Sequence, residues 1–188
     1  MRITGGVAKS IKLALLECGS LRPATDFLRQ AVFSSLGGIT VGKKFLDLFA
    51  GTGAYGLESL SRGAIGGLFV EINFSLKSIL QKNINAVSKS IDIDSSCCGI
   101  IIGNGLTFYS KEKFDLVFID PPYDISRSSS DRLLVNALTL LSDSYDARLI
   151  FEVPSDLPSP VIHGLHEINR IGKSNKRNSP AAIIYGKS

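Results

Sequence analysis

Asp120-Pro121-Pro122-Tyr123 is the stretch of this 188-residue chain whose residue types point most directly to chemistry. It follows residues 114–119, Phe-Asp-Leu-Val-Phe-Ile, which read as a buried strand. Two prolines at a strand end stop the hydrogen-bond ladder and remove two backbone donors. The Asp120 carboxylate and the Pro121 carbonyl are left as rigidly placed acceptors. An aromatic ring follows at once. Acceptors beside a stacking face suit a flat group that carries an NH2, such as the amino group of a nucleobase or an amide. Taken alone, the tetrapeptide reads equally well as a proline turn capping a strand.

A second constellation is Gly51, Gly53 and Gly56, a GxGxxG spacing between a strand predicted over 45–49 and a helix predicted to run to about Ser61. Glycines in that context let the backbone come close to a ligand. Glu71 ends the next strand, 66–72, at the distance along the chain where a carboxylate accepts both hydroxyls of a ribose. An adenosine-containing cofactor fits both features, and NAD and S-adenosylmethionine remain open on them alone. Asp47 discriminates between the two. An acid just ahead of the glycine turn repels pyrophosphate but attracts a sulfonium and a free amino group, which favours S-adenosylmethionine. Asp47 can also cap the loop amides, and the two roles can coexist. The cofactor set is Asp47, Phe49, Gly51, Thr52, Gly53, Glu71, Ile72, Asn104, Gly105 and Leu106, with Asn104 at the adenine edge and Ile72 or Leu106 against the ring.

The elements that must position these residues follow from periodicity. A helix is expected up to Leu36, with Thr25 or Asp26 as its cap, and another over 74–87. Strands are expected over 97–102, 114–119 and 148–153, with a helix over 131–141 and a mobile serine-rich loop over 126–130. Repeated strand–helix alternation folds as a parallel sheet covered on both faces. Two final strands, 161–171 and 181–185, are expected to close the sheet edge as an antiparallel pair. The fold class is therefore α/β, a mostly parallel seven-stranded sheet with a terminal hairpin and a small N-terminal extension. One domain over 1–188 is expected, divided into the extension and its helix, 1–37, and a core, 38–188. The glycine loop, Glu71 and the proline motif then all stand at strand ends, where ligands bind in such sheets.

Composition narrows the class without naming a function. The chain is 44% hydrophobic with a formal charge of +4, which suits a globular protein in a field mildly favourable to polyanions. Cys18, Cys97 and Cys98 lack metal spacing and read as free thiols in a reducing cytoplasm. His163 and His166 lack matched acidic ligands, so no metal is expected. No segment reads as a signal peptide or a membrane span.

The motifs also carry a family resemblance. Residues 45–53 (FLDLFAGTG), 69–71 (FVE) and 120–123 (DPPY) resemble the S-adenosylmethionine-dependent amino methyltransferases. The opening MRITGG, the LRPATD segment leading to Arg29, and GLESLSRGA over 56–64 resemble the RsmD-type bacterial 16S ribosomal RNA guanine-N2 methyltransferases, a likeness that spans nearly the whole chain. The resemblance implies a Rossmann-like class I fold and methylation of a guanine N2 in 16S rRNA, within a small-subunit assembly particle. It also implies a monomeric cytoplasmic enzyme with its N-terminal extension beside the active site. Asp120 and Pro121 then hold the amino group and Tyr123 stacks on the base, while Lys9, Lys12, Arg22 and Arg29 are candidate RNA contacts. The chain departs from the pattern in a less basic run over 7–12, in Ala24 where a threonine is usual, and in Asn73 where an aspartate is common. Adenine-N6 or glutamine methylation, and a non-catalytic ribosome-assembly role on the same fold, remain the competing readings.

Overall fold

Short strands that are apolar on both sides need cover on both faces, and here they receive it. In a computed structural model of the protein, which describes residues 1–16, 25–172 and 177–188, the first five strands are β1 (Lys44–Asp47), β2 (Gly66–Glu71), β3 (Cys98–Ile102), β4 (Leu116–Ile119) and β5 (Arg148–Pro154). All four residues of β4 are buried. The hairpin strands β6 (Leu165–Ile171) and β7 (Pro180–Lys187) complete a seven-stranded sheet in the order β3-β2-β1-β4-β5-β7-β6. The first five strands pair in parallel, whereas β7 runs antiparallel to both β5 and β6. Strand order reverses between β1 and β4, so the switch point where open sheets bind ligands lies between the strands that lead to Asp47 and Asp120. The expected α/β class and its terminal hairpin are both present.

Among the described residues four α-helices cover the sheet: α1 (Thr25–Leu36), α2 (Ala54–Ser61), α3 (Lys77–Ser90) and α4 (Tyr123–Leu140). Several boundaries differ from the sequence expectation. Thr25 and Asp26 lie inside the first turn of α1 rather than capping it. β1 stops at Asp47, and Leu48 and Phe49 already belong to the turn. A single 3-10 turn, Phe74–Leu76, precedes α3. The largest correction concerns α4, which begins at Tyr123 and takes in the serines expected to form a loop. Pro122 sets the helix start, the Ser128 hydroxyl folds back onto the Asp124 carbonyl, and Ser126 is buried. Tertiary packing thus overrides weak helix propensity. The loop tendency survives as a kink at Ser129 (φ −141°, ψ 19°). Cys18, Arg22 and Ala24 lie outside the described residues.

Two hydrophobic layers result. Phe45, Phe69, Leu116, Phe118 and Ile150 point to the face covered by α1, α2 and α3, whereas Leu46, Val70, Val117, Leu149 and Phe151 point to the face covered by α4. The N-terminal segment forms an irregular hairpin, with the Ile3 amide on the Ile11 carbonyl and the Ser10 amide on the Ile3 carbonyl. Ile3, Ala8 and Leu13 join the first layer, so this segment is packed against the sheet's own core.

Candidate active site

The site is built on the carboxyl ends of β1, β2, β4 and β5. After β1 the chain turns through Gly51 and Gly53 into α2. Gly53 has φ +89°, and a Cβ there would meet Leu80 Cδ1 at 2.5 Å. Gly56 serves another purpose. A Cβ on it would lie 2.4 Å from Phe69 and 2.5 Å from Phe45, so glycine lets α2 settle directly on the sheet. Asn83 of α3 steadies the loop, its side-chain amide donating to the Thr52 carbonyl (2.9 Å) and the Ala14 carbonyl (3.1 Å).

Asp47 is 2% exposed, and its Oδ2 accepts from the Gly56 amide at 3.2 Å. It thereby holds the start of α2 from below, which matters because Gly53 supplies no side-chain cap. Burial pushes the Asp47 carboxyl from 3.8 up to about 7. Asp120 and Glu71 reinforce the rise, while the Gly56 and Phe49 amides oppose it. Glu71 accepts from the Gly51 amide (2.7 Å) and the Asn73 amide (2.8 Å), so it is an anchor of the glycine loop as well as the expected ribose ligand. Each carboxylate oxygen keeps further acceptor capacity. Ile72 is 67% exposed, a surface on which a flat ring can rest. Asn104 Oδ1 accepts from the Leu106 amide (3.0 Å), shaping the turn that presents Leu106. Gly105 is required there, because a Cβ would lie 2.1 Å from the Leu48 carbonyl oxygen and 2.9 Å from the Phe49 ring.

Asp120 follows β4 immediately, Pro121 is buried, and Tyr123 opens α4 with a half-buried ring whose hydroxyl faces the protein interior. The two halves expected from the sequence therefore share one edge of the sheet. The donor set fits a cofactor of adenosine type with a cationic centre: two carboxylates at adjacent strand ends, a glycine loop, and apolar side chains presented beyond them. Among the described residues no group of three or more His, Cys, Asp or Glu is arranged to hold a metal ion. A cavity of about 430 Å³ lined by Lys44, Gly67, Cys97 and Glu112 opens at the opposite end of the strands, away from these acids.

The expected RNA contacts divide. Lys9 and Lys12 are exposed on the N-terminal hairpin. Arg22 lies outside the described residues. Arg29 must be reassigned, because it is 1% exposed and its guanidinium binds Glu58 (3.3 Å), Asp26 (2.8 Å) and the Arg2 carbonyl. Glu58 is itself fully buried and also holds Arg62 (2.8 Å), the Thr4 amide (2.8 Å) and the Thr4 hydroxyl (2.7 Å). A cation committed to a buried carboxylate is not available to phosphate. The arginine's position on a helix of mixed composition gave no sign of this.

Sequence reasoning missed two residues. Tyr55, in the first turn of α2, donates its hydroxyl to Glu152 Oε2 at 2.8 Å, and both side chains are buried. The acid standing inside the apolar run of β5 was the available signal.

Comparison with known proteins agrees with this architecture. Residues 1–178 match the family described as conserved hypothetical protein 95. Ribosomal RNA small subunit methyltransferase D of Escherichia coli is 32% identical over 175 residues, covering 88% of this chain and 82% of that protein. Escherichia coli yhhF superposes with a TM-score of 0.78 at 23% identity, covering 100% of this chain and 98% of that one. SMU.776, solved in complex with SAH, superposes over 88% of this chain and 50% of its own, with a TM-score of 0.69 at 13% identity. The chain therefore belongs to the conserved hypothetical protein 95 family, the RsmD-type family that its N-terminal and glycine-loop motifs resemble.

Proposed function

We propose that this protein uses S-adenosylmethionine to methylate the exocyclic N2 amino group of a guanine in 16S ribosomal RNA, as part of small-subunit assembly in the cytoplasm. The observation that carries the reading is the junction at the sheet's switch point, where Asp120-Pro121-Pro122-Tyr123 ends one strand beside Asp47 and the glycine loop of the next. The relative named ribosomal RNA small subunit methyltransferase D supports RNA as the acceptor, and the SAH-bound neighbour supports the cofactor.

When bound, the cofactor supplies an electrophilic methyl group on a positively charged sulfur. The chain supplies position and electrostatics. Asp47 attracts the cationic end, Glu71 the ribose hydroxyls, and Ile72 and Leu106 the adenine. A guanine amino nitrogen is a poor nucleophile because its lone pair is delocalised into the ring. Asp120 and the Pro121 carbonyl accept its two hydrogens, draw the nitrogen toward a tetrahedral geometry and stabilise the positive charge that develops. Asp120 would take the proton that the amino nitrogen releases once it carries the methyl group. Tyr123 stacks on the base, an interaction worth roughly 1–3 kcal/mol. Residues 1–37 form the RNA-facing part, with Lys9 and Lys12 as phosphate contacts, and residues 38–188 form the catalytic core of the same domain.

Labelled methyl transfer to immature 30S particles, naked 16S RNA and DNA, followed by nucleoside analysis, tests this directly. Label in N2-methylguanosine of the ribosomal RNA is expected, and label in N6-methyladenosine would replace the substrate assignment. In Asp120→Ala, transfer should fall about 10²–10⁴-fold, the worth of a positioned acid–base group, while cofactor affinity is retained. Transfer at the wild-type rate would remove Asp120 from the mechanism.

A further inference from the structure

We propose that Tyr55 and Glu152 form a positioning pair that sets the height of the donor-carrying glycine loop above the acceptor residue Asp120. The inference rests on the methyl-transfer reading above and assigns a role to two buried groups which that mechanism does not use.

Tyr55 stands two residues beyond Gly53, so its position is tied to the loop. Its buried ring stacks on Phe118 at 5.2 Å between centroids and 24° between planes, and Phe118 precedes Asp120 by two residues in the chain. The Tyr55 hydroxyl donates to Glu152 Oε2 at 2.8 Å, and Glu152 is 2% exposed. β4 and β5 run parallel with Ile119 opposite Phe151, and continuing that register sets Asp120 beside Glu152. Phe118 and Ile150 belong to the same hydrophobic layer, so residues two further along each strand face the same side of the sheet.

Across β1, β4 and β5 one face of the sheet therefore carries Asp47, Asp120 and Glu152, with Asp120 level with Glu152 and Asp47, opposite Phe118, two residues lower. The two outer acids grip α2 from below, Asp47 through the Gly56 amide and Glu152 through the Tyr55 hydroxyl. Because Gly53 provides no side-chain cap, these grips determine where the helix start, and the loop before it, sits relative to Asp120. Transfer demands reacting atoms about 3–3.5 Å apart, and a misplacement of about 1 Å costs on the order of 10²-fold in rate. An apolar pair of the same volume would fill this space without desolvating a carboxylate, so stability alone does not call for the arrangement.

Tyr55→Phe keeps the ring and its stacking and deletes only the hydroxyl. Single-turnover transfer to the RNA should fall about 10–100-fold, with S-adenosylmethionine affinity by calorimetry unchanged. Glu152→Gln retains an acceptor for the hydroxyl and should recover most of the rate that Glu152→Ala loses. Tyr55→Phe combined with Glu152→Ala should lose little beyond either single change. Transfer at the wild-type rate in Tyr55→Phe would overturn the proposal, as would a rate loss matched by an equal loss of cofactor affinity. If the wild-type protein methylates no RNA, the functional reading falls and amide hydrogen exchange over residues 51–56 decides the pairing by itself. Faster exchange in Tyr55→Phe supports the latch, and unchanged exchange refutes it.

Discussion

The two faces of this sheet are built from the same strands but on different principles. The face under α4 is packed with aliphatic and aromatic side chains: Leu46, Val117, Ile119, Leu149, Phe151 and Val153 meet Leu133, Leu134, Ala137 and Leu140. The face under α1, α2 and α3 has a comparable apolar layer, yet it also buries Asp47, Glu152, Tyr55 and the Arg29–Glu58 pair. Close packing accounts for the first face. The second accepts desolvated charge, which seldom increases stability, and every such group either supports the glycine loop from beneath or ties the N-terminal hairpin to the helix that follows that loop. The difference separates a face that holds the fold from a face that holds the site.

Three perturbations test that contrast, in decreasing order of effect. Arg29→Ala leaves Glu58 buried with Arg62 and Thr4 as its remaining partners, and should cost about 4 kcal/mol of unfolding free energy in urea titration. A loss below about 1 kcal/mol, the range of an exposed pair, would mean that the network is not the clasp described. On the opposite face, Leu134→Ala removes buried methyl groups and should cost about 3 kcal/mol. That loss should be the same from about pH 4 to pH 8, because Tyr185, the titratable member of this layer among the described residues, is held neutral over that range, its pKa raised by burial. A pH-dependent loss would erase the distinction between the faces.

Asp47 should show the smallest effect and the most specific one. Its folded-state pKa of about 7 stands above the ordinary 3.8, because burial favours the neutral acid. The folded protein thus binds this proton more tightly than the unfolded chain does. The corresponding stability is full below 3.8 and is lost as pH rises toward and through 7. Asp47→Asn should flatten that stretch of the stability–pH curve. A cationic cofactor selects the ionised acid, so its affinity in the wild-type protein should weaken by up to about tenfold per pH unit below 7, with proton release on binding. Calorimetry in buffers of different ionisation enthalpy reads both effects, and a pH-independent affinity would show that Asp47 does not face the cation.

The fold was largely legible because strand and helix periodicities leave strong local signals. All seven strands were expected, and the boundary errors occur where local signals compete with packing. The serines over 126–130 resemble a loop by composition, yet the proline start and the burial of Ser126 draw them into α4. At the candidate site, the placement of the glycines, Asp47, Glu71 and Asp120 at neighbouring strand ends was legible, because close backbone approach and charge at strand ends call for particular residue types. Tyr55 and Glu152 were not, since their pairing joins positions 97 residues apart. Arg29 was misread for a related reason. Sequence shows that an arginine carries charge, and only packing shows whether that charge meets solvent or a buried carboxylate.

By itself, then, the sequence determined the alternating α/β class, the glycine loop after β1 and the proline-framed end of β4, all features written in consecutive residues or fixed short spacings. The tertiary structure decided which acids lie side by side, which cation is buried, and what supports the loop from below. Those outcomes depend on strand order and register, and β1 meets β4 across 71 residues of chain only after the sheet has formed.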